Sequence, residues 1–414
     1  MALIATHRLP GMVLTSHRFE VPLDHARPGG ETISVFAREV VAPGGENDDL
    51  PWLVFLQGGP GFEASRPPGN ATWLPRALQD YRVLLLDQRG TGSSTPVTAR
   101  TLARFGTPEA QAAYLAHFRA DSIVDDAERI RAELLGPGKR WTALGQSFGG
   151  FCTVRYLSAH PEGLEGAIIT GGLPPLDRPA DDVYRATYRR VAAKNHAYYE
   201  RYPDDVARVQ AIVRHLQGHP VRLPSGGILT PRRFQQLGNE FGGSQGFEAV
   251  HYLVEDAFED GPDGLEPGHR FLAHLEAMQP FETNPIFAIL HEAIYCQSDA
   301  SNWSAHRVRA EYPEFEADPE RQVLFTGEMV YPWMFEDYAR LQPLREAAAL
   351  LAAKSDWPRL YDVDRLRRNE VPVVAAIYYD DMYVERAFSE ETAATIRGLR
   401  PWITNEYDRR EPVA

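Results

Sequence analysis

Residues 145–149 have the sequence Gly-Gln-Ser-Phe-Gly, in which the central Ser147 could act as a nucleophile. An apolar stretch precedes this pattern and a helical pattern follows it, and in that context a sharp strand-to-helix turn lifts a serine hydroxyl out of a sheet. Glycine at both flanking positions fits such a turn, because side chains there would collide with it. Residues 242–246 match the same pattern around Ser244, but no strand precedes them. We therefore predict that Ser147 is a nucleophile and that Ser244 is a loop serine.

A glycine-rich loop at residues 57–61, Gln-Gly-Gly-Pro-Gly, directly follows another apolar stretch. Acyl transfer needs backbone N–H donors where the negative oxygen of the tetrahedral intermediate develops, and glycines allow the backbone to approach closely. We predict an oxyanion hole formed by the N–H groups of Gly59 and Phe148. The turn at residues 87–94, Asp-Gln-Arg-Gly-Thr-Gly-Ser-Ser, follows a third apolar stretch. We predict that its charged side chains hold the glycine-rich loop in place rather than contact substrate.

These motifs follow predicted strands. Period-two alternation or short apolar runs predict strands at residues 32–41, 53–56, 83–86, 140–144 and 164–170. Helical spacing of apolar residues predicts helices at residues 122–135 and 148–160. Strands that alternate with helices in this way predict a mostly parallel sheet flanked by helices, which is an α/β fold.

A helical segment interrupts the predicted sheet. From about residue 177 to residue 355 the chain shows long helical patterns, and strand patterns return at residues 371–379. A helix at 389–399 and a last strand at 402–404 complete the predicted elements. We predict a sheet domain formed by residues 1–176 and 356–414, with an inserted helical cap domain at residues 177–355.

The amino-acid composition of the chain excludes several classes of protein. The chain has 414 residues, and its 43 Lys and Arg against 57 Asp and Glu give a formal net charge of −14, which argues against nucleic acid as a partner. Two cysteines, Cys152 and Cys296, are too few for a disulfide framework or a cysteine zinc site. No apolar run reaches the roughly 18 residues of a membrane span, and no signal peptide is recognised. We predict a cytoplasmic protein without membrane contact, metal or cofactor, and no feature predicts its oligomeric state.

The glycine-proline loop, the Asp-Gln-Arg-Gly-x-Gly-x-Ser turn and the serine elbow occur in the order and at about the spacings found in proline iminopeptidases. The chain resembles this family, whose members are α/β-hydrolases with a helical cap, over nearly its whole length. Gln57 stands where a histidine usually leads the loop, and Phe148 stands where many members have tryptophan. The resemblance implies a serine exopeptidase that removes an N-terminal proline, or another residue, from short peptides with a free N-terminus through an acyl-enzyme.

The resemblance also implies a catalytic acid just after a late strand. Asp381 follows the predicted strand at 371–379 and aligns with the family's Asp-Met pattern, with Asp380 as the alternative. A buried carboxylate there would orient a histidine and stabilise its protonated form. In this fold the histidine follows the acid along the chain, but the last of the 13 histidines is His306. Arg409 occupies the position where similar proteins have the histidine, and arginine cannot act as a base.

Three interpretations of this difference are open. In the first, which we favour because the other elements are intact, mutation or frameshift has altered the carboxyl-terminal residues and impaired a folded hydrolase. In the second, a cap histidine such as His291 or His306 substitutes as the base. In the third, the protein is a catalytically silent relative that binds short peptides or amines. An esterase or amidase on the same scaffold is a further alternative.

An aminopeptidase must bind a desolvated ammonium group, which needs carboxylates or carbonyl oxygens nearby. Cap domains of the family supply glutamates, and Glu292 and Glu328 lie in apolar, aromatic stretches. The resemblance therefore implies these two as substrate-binding residues, with ordinary solvated glutamates as the alternative. His291 and Glu292 also begin a zinc-protease pattern, but Tyr295 stands where the second histidine is required, so this metal site is excluded.

Overall fold

In the computed structural model, which describes residues 2–67, 72–261 and 264–406, a nine-stranded sheet runs through the protein. Counting also two separate two-stranded sheets, β8–β9 and β10–β11, the strands of the described residues are β1 (Ala2–Leu9), β2 (Met12–Pro22), β3 (Thr32–Val41), β4 (Trp52–Leu56), β5 (Arg82–Asp87), β6 (Trp141–Gln146), β7 (Leu164–Thr170), β8 (Val221–Arg222), β9 (Ile228–Leu229), β10 (Phe258–Gly261), β11 (Gly264–Pro267), β12 (Val373–Tyr378) and β13 (Leu399–Thr404). The sheet has the order β1-β2-β3-β5-β4-β6-β7-β12-β13. Pairing is antiparallel from β1 to β5 across β2 and β3, and parallel from β5 to β13.

Helices connect the parallel strands. They are α1 (Leu74–Ala77), α2 (Ala99–Leu102), α3 (Pro108–Leu115), α4 (Ala120–Leu135), α5 (Phe148–Ala159), α6 (Ala180–Arg201), α7 (Asp205–Gly218), α8 (Pro231–Gln235), α9 (Gly246–Glu255), α10 (His269–Ala277), α11 (Pro285–Leu290), α12 (Ser304–Val308), α13 (Met334–Asp337), α14 (Arg345–Ala353), α15 (Val363–Arg367) and α16 (Arg386–Thr395). No helix in the described ranges is long and apolar enough to cross a membrane.

Alternate residues of β4 show how the sheet is buried on its two faces. Val54 and Leu56 join the large core that also contains the apolar faces of α4 and α5. Leu53 and Phe55 point the other way and pack in a smaller cluster with Trp73 beside α1. This alternation follows from the period of two in a strand. The predicted α/β architecture with a mainly parallel sheet is confirmed.

The sequence predictions differ from the structure at both ends of the chain. The hairpin of β1 and β2 was not predicted, because every side chain of β1 except that of Leu9 is exposed and leaves no apolar alternation. The helix predicted at 389–399 is wrong in its bounds, since α16 runs from Arg386 to Thr395 and Leu399 pairs with Val373 in the sheet. The helix starts early because the Glu385 carboxylate accepts the N–H of its second residue, Ala387 (3.2 Å).

Between β7 and β12 the chain passes through α6 to α15. This segment also contains the short hairpins β8–β9 and β10–β11, which were not predicted. The chain then returns beside the strand it left, because β12 pairs in parallel with β7. The division into a sheet domain and a cap at residues 177 and 355 stays a prediction.

Candidate active site

Ser147 lies in the turn between β6 and α5, with φ of 56° and ψ of −123°. A positive φ is uncommon for a residue with a Cβ atom and costs on the order of 1–3 kcal/mol, so neighbouring contacts must hold it. The Ser147 N–H donates to the carbonyl oxygen of Thr170 in β7 (2.8 Å), and its carbonyl accepts from the N–H of Gly150 (2.7 Å). The predicted strand–serine–helix turn is confirmed. Ser244 instead follows a short 3-10 helix and lies in a turn, as predicted.

The glycines on either side of Ser147 have no room for a side chain. A Cβ atom on Gly145 would lie 2.2 Å from the carbonyl oxygen of Gly149, and one on Gly149 would lie 1.9 Å from that of Leu56. A Cβ atom on Gly172, after β7, would lie 2.1 Å from the Ser147 carbonyl oxygen. Backbone atoms cannot yield as a flexible side chain can. The elbow therefore requires glycine at these positions, for the steric reason predicted.

The glycine-rich loop passes directly beside Ser147. A Cβ atom on Gly58 would lie 2.9 Å from the Ser147 Cβ and 3.3 Å from its Oγ, so Gly58 is in close contact with the serine. Gly59 has φ of +132° and faces Phe62 instead. Phe148 is the first residue of α5, where an N–H has no acceptor within its own helix. The choice of Gly59 and Phe148 as oxyanion donors stays a prediction, and the contact of Gly58 was missed.

The charged turn after β5 holds this loop in place. The Asp87 carboxylate accepts the N–H of Ala64 (3.2 Å) and two hydrogen bonds from Arg66 (2.8 and 2.6 Å), both just past the glycines. The Gln88 side-chain amide donates to the carbonyl oxygen of Gln57 at the start of the loop (2.9 Å). The predicted holding role of this turn is therefore confirmed.

Asp381 is buried just beyond the carboxyl end of β12. Its Oδ1 accepts the N–H groups of Tyr383 (2.8 Å) and Val384 (3.1 Å), which fix the orientation of the carboxylate. The alternative, Asp380, is exposed and accepts a hydrogen bond from Asn405 (3.1 Å). Because β12 lies two strands from β6, about 10 Å separates the strand ends that carry Asp381 and Ser147. The fold thus brings both residues to the same edge of the sheet.

Glu292 is buried beneath helix α12. Its Oε2 accepts the N–H of Ser304 (3.0 Å) and its Oε1 accepts the N–H of Ala305 (2.9 Å), so it satisfies two donors at the start of that helix. Burial raises the pKa of the Glu292 carboxyl. The binding role predicted for Glu292 stays a prediction, and its observed contacts hold α12.

Glu328 lies in the same segment between β7 and β12. Its Oε2 is 3.9 Å from Nε2 of the buried His291. Sequence analysis missed Tyr184, a fully buried residue whose pKa is raised well above the ordinary value by burial and by the negative charges of Glu292 and Glu328. The Tyr184 ring packs edge-on against Tyr295, with centroids 6.3 Å apart. No group of three or more His, Cys, Asp or Glu side chains among the described residues could hold a metal ion.

A family model for the alpha/beta hydrolase fold matches residues 51–213. A proline iminopeptidase of Aeromonas sobria is 53% identical over 401 residues, which cover 97% of this chain and 93% of the relative. The chain belongs to the proline iminopeptidase family. The family predicted from the glycine loop, the charged turn and the serine elbow is thus confirmed, together with the α/β-hydrolase fold.

Two further proline iminopeptidases resemble this family member. The one from Aspergillus aculeatus, named aneH, is 40% identical over 414 residues, which cover 97% of this chain and 91% of that protein. The crystal structure of a proline iminopeptidase from Mycobacterium smegmatis aligns with 95% of this chain and 92% of its own chain, with 16% identity and a TM-score of 0.43.

His291 and His306, the two histidines of this iminopeptidase family member that were considered as substitute bases, occupy different environments. His291 is buried, and its ring packs edge-on against Phe287 of α11 (5.3 Å between centroids). Helix α11 lies against the glycine-rich loop, since a Cβ atom on Gly61 would be 2.8 Å from the Phe287 nitrogen. His306 is exposed, with its ring 6.4 Å from that of Tyr331. Arg409 lies outside the described residues, and the identity of the base stays open.

Gly149→Ala is expected to lower both stability and any activity of this iminopeptidase family member. The new Cβ would overlap the Leu56 carbonyl oxygen, and forcing extra volume into packed structure costs about 1–3 kcal/mol. Gly218→Ala at the end of α7 is the matched control, because no atom lies within 4 Å of its Cβ position. Thermal unfolding of both variants is the measurement. An equal melting temperature for the two would contradict the steric explanation of the elbow.

Glu292→Ala is expected to destabilise the protein, because it leaves two N–H groups of α12 without their acceptor. An unsatisfied buried donor costs about 1–3 kcal/mol. Denaturant unfolding measures the loss, and Glu328→Gln serves as the comparison. If Glu292 bound substrate without supporting α12, its replacement would raise KM and leave the unfolding midpoint unchanged.

The raised pKa of Glu292 also predicts a pH dependence of stability. The folded protein holds this proton more tightly than the unfolded chain does, so the contribution of Glu292 is largest below its ordinary pKa of 4.5. It declines as the pH rises from that value through the raised pKa. Glu292→Gln, which cannot ionise, is expected to show a flatter dependence of the unfolding free energy on pH over this range. Parallel curves for the two proteins would refute this assignment.

Proposed function

We propose that this chain is a serine exopeptidase that releases an N-terminal proline, or another residue, from short peptides. The strained backbone of Ser147 at the end of β6, in a chain of the proline iminopeptidase family, is the observation that carries the proposal. Such a turn presents the serine hydroxyl at the edge of the sheet, where Asp381 is also held. The two buried, unpaired cysteines also support a reducing compartment and hence a cytoplasmic location.

The proposed reaction begins with attack of the Ser147 Oγ on the carbonyl carbon of the first residue. The hydroxyl proton passes to a base, and the negative oxygen accepts hydrogen bonds from the N–H groups of Gly59 and Phe148. The amine of the shortened peptide leaves with a proton from the protonated base, and water then hydrolyses the acyl-enzyme. Asp381 is the proposed acid that orients the base, and Glu292 and Glu328 are proposed to bind the ammonium group of the substrate.

The base is the open part of this proposal. No histidine follows Asp381, and Arg409 stands at the position expected for it. An altered carboxyl-terminal stretch that impairs the enzyme is our preferred hypothesis, ahead of a substitute histidine in the cap. A silent relative that binds peptides or amines is the alternative from another class.

Hydrolysis of prolyl-4-nitroanilide by the chain and by its Arg409→His variant tests this proposal. We expect little turnover by the chain and a gain by Arg409→His, because an imidazole can accept the serine proton and a guanidinium cannot. Substantial turnover by the unmodified chain would show that one of its 13 histidines acts as the base and would refute the impaired-enzyme hypothesis. If neither protein hydrolyses the substrate, the hypothesis of a relative that only binds peptides or amines is favoured. Faster cleavage of acyl esters than of aminoacyl anilides would favour an esterase.

A further inference from the structure

The loop that carries Asp381 is held by side chains and backbone of the segment between β7 and β12. We call residues 380–385, which lie between β12 and α16, the acid loop. Because the Asp381 carboxylate accepts the N–H groups of Tyr383 and Val384 within this loop, its direction depends on the path of the loop. Contacts that fix this path therefore also fix the carboxylate.

An ion pair with α6 holds the acid loop where it enters α16. Arg190 of α6 donates from Nε to one oxygen of the Glu385 carboxylate and from a terminal nitrogen to the other (2.8 Å each). Such a two-pronged pair is stronger and more directional than a single contact between charges. The same guanidinium lies 3.9 Å from the Asp380 carboxylate at the other end of the loop. Arg190 thus faces both ends of the acid loop.

Tyr383 holds the middle of the acid loop against a 3-10 helix. Its hydroxyl donates to the carbonyl oxygen of Asn239 (2.6 Å), in the helix Gln236–Gly242. A Cβ atom on Gly242 would lie 2.0 Å from the Tyr383 ring, so the ring packs directly on the backbone of this helix. The acid loop is therefore fixed at its middle by packing and by a hydrogen bond.

The acid loop also contacts the stretch that contains Glu328. A Cβ atom on Gly327 would lie 3.5 Å from Cε of the buried Met382 and 2.5 Å from Cγ2 of Val191 in α6. Gly327 thus lies close to both the acid loop and α6. The residue that follows it is Glu328, one of the two proposed to bind the substrate ammonium group. The supports of the acid loop and of this glutamate are therefore in contact.

We propose that Arg190 and Tyr383 are positioning residues that set the orientation of Asp381 by holding the acid loop against the segment between β7 and β12. The proposal rests on the proposed function, in which Asp381 orients the base. A catalytic group must be held within about 0.5 Å of its productive position, and a displacement of about 1 Å can cost a hundredfold in rate. Because both residues act through Asp381, their loss lowers kcat more than it changes KM.

Amide hydrogen exchange tests the orientation of Asp381 without any turnover. The exchange rates of the Tyr383 and Val384 N–H groups report how firmly the carboxylate holds them. In Arg190→Ala we expect exchange at these two amides to be about tenfold faster or more, with the β7 amides unchanged, because a charge-assisted contact is lost. Tyr383→Phe keeps the ring and loses the bond to Asn239, so a smaller increase is expected. Arg190→Lys keeps the charge without the two-pronged geometry and should restore part of the protection.

Arg178→Ala is the matched control. Arg178 forms a similar two-pronged pair with Glu391 of α16 (3.0 and 2.6 Å), which lies beyond the acid loop. Its loss should leave exchange at Tyr383 and Val384 unchanged. Unchanged exchange at these two amides in Arg190→Ala would overturn the proposal. An equal increase in Arg178→Ala would also overturn it, because the effect would then not be specific to the acid loop.

Turnover separates this proposal from the proposed function. In whichever protein hydrolyses prolyl-4-nitroanilide, the chain or its Arg409→His variant, Arg190→Ala should lower kcat about tenfold and change KM by less than about twofold. Arg178→Ala should change neither constant. If Asp381→Asn leaves kcat unchanged, Asp381 is not the acid and the positioning role fails with that assignment. If Asp381→Asn removes turnover but Arg190→Ala leaves kcat unchanged, the acid is correct and the positioning role is wrong. If neither protein hydrolyses the substrate, the exchange rates alone decide whether the acid loop is held as proposed.

Discussion

Ser147→Ala is expected to remove the hydrolysis of prolyl-4-nitroanilide altogether, in the chain itself and in its Arg409→His variant. Without the Oγ atom no acyl-enzyme forms, and loss of the serine in a complete triad costs on the order of a millionfold in kcat. The fold-loss in kcat is expected to be smaller in the unmodified chain, because the missing base already lowers its starting rate. Labelling by a fluorophosphonate, which reacts with an activated serine, should disappear in parallel.

The chain contains a matched control for this prediction. Ser244 has the same Gly-x-Ser-x-Gly neighbourhood in sequence but lies in a turn without a preceding strand. Ser244→Ala should therefore retain both turnover and labelling. Both variants should unfold at the temperature of the parent, since serine and alanine meet the same backbone strain at the φ of 56° of Ser147, and Ser244 is exposed. Loss of labelling on Ser244→Ala and its retention on Ser147→Ala would reject the elbow as the site of attack.

Elements with a strong local signal were predictable from the sequence. The strand predicted at 164–170 coincides with β7, because a short apolar run there ends at the glycine pair 171–172. The steric need for glycine around Ser147 could likewise be predicted, since it depends on neighbours within the motif. The place after a late strand fits both Asp380 and Asp381, and the choice of Asp381 came from the resemblance to the family's Asp-Met pattern; Asp381 is buried and Asp380 is exposed.

The parts that were missed depend on contacts between distant segments. The partners of Glu292 are N–H groups 12 and 13 residues further along the chain, and no local pattern distinguishes such a glutamate from one that binds a ligand. Gly58 and Gly59 are adjacent and chemically identical, so only the path of the backbone decides which one contacts Ser147. Strand β1 has no buried face and therefore no apolar pattern to recognise. In each case the residue's role depends on tertiary contacts, which a local sequence pattern does not contain.

The largest effect on stability is expected from Arg89→Met. The Arg89 guanidinium is fully buried and donates twice to the Asp126 carboxylate (2.7 and 2.5 Å). It also donates to the carbonyl oxygens of Leu23 (2.9 Å) and His117 (2.7 Å), and so joins the β2 end, the charged turn and α4. Removing one partner of a buried ion pair costs about 3–5 kcal/mol, and the Asp126 carboxylate would then keep its contact with His25 (2.8 Å) but lose both bonds from the guanidinium. Guanidinium chloride unfolding should show a loss of this size.

Two comparisons separate the buried charge from other causes. Arg76→Met breaks the exposed Arg76–Asp80 pair, whose side chains are 59% and 55% exposed, and exposed pairs contribute at most about 1 kcal/mol. The double variant Arg89→Met, Asp126→Leu removes both charges together and should recover part of the lost stability, because apolar residues of similar volume often replace a buried pair without loss. The double variant could instead have a lower unfolding free energy than Arg89→Met. In that case the charge of Asp126 would not be the cause of the stability lost in Arg89→Met. The hydrogen bonds from Arg89 to the backbone carbonyl groups would then account for the loss.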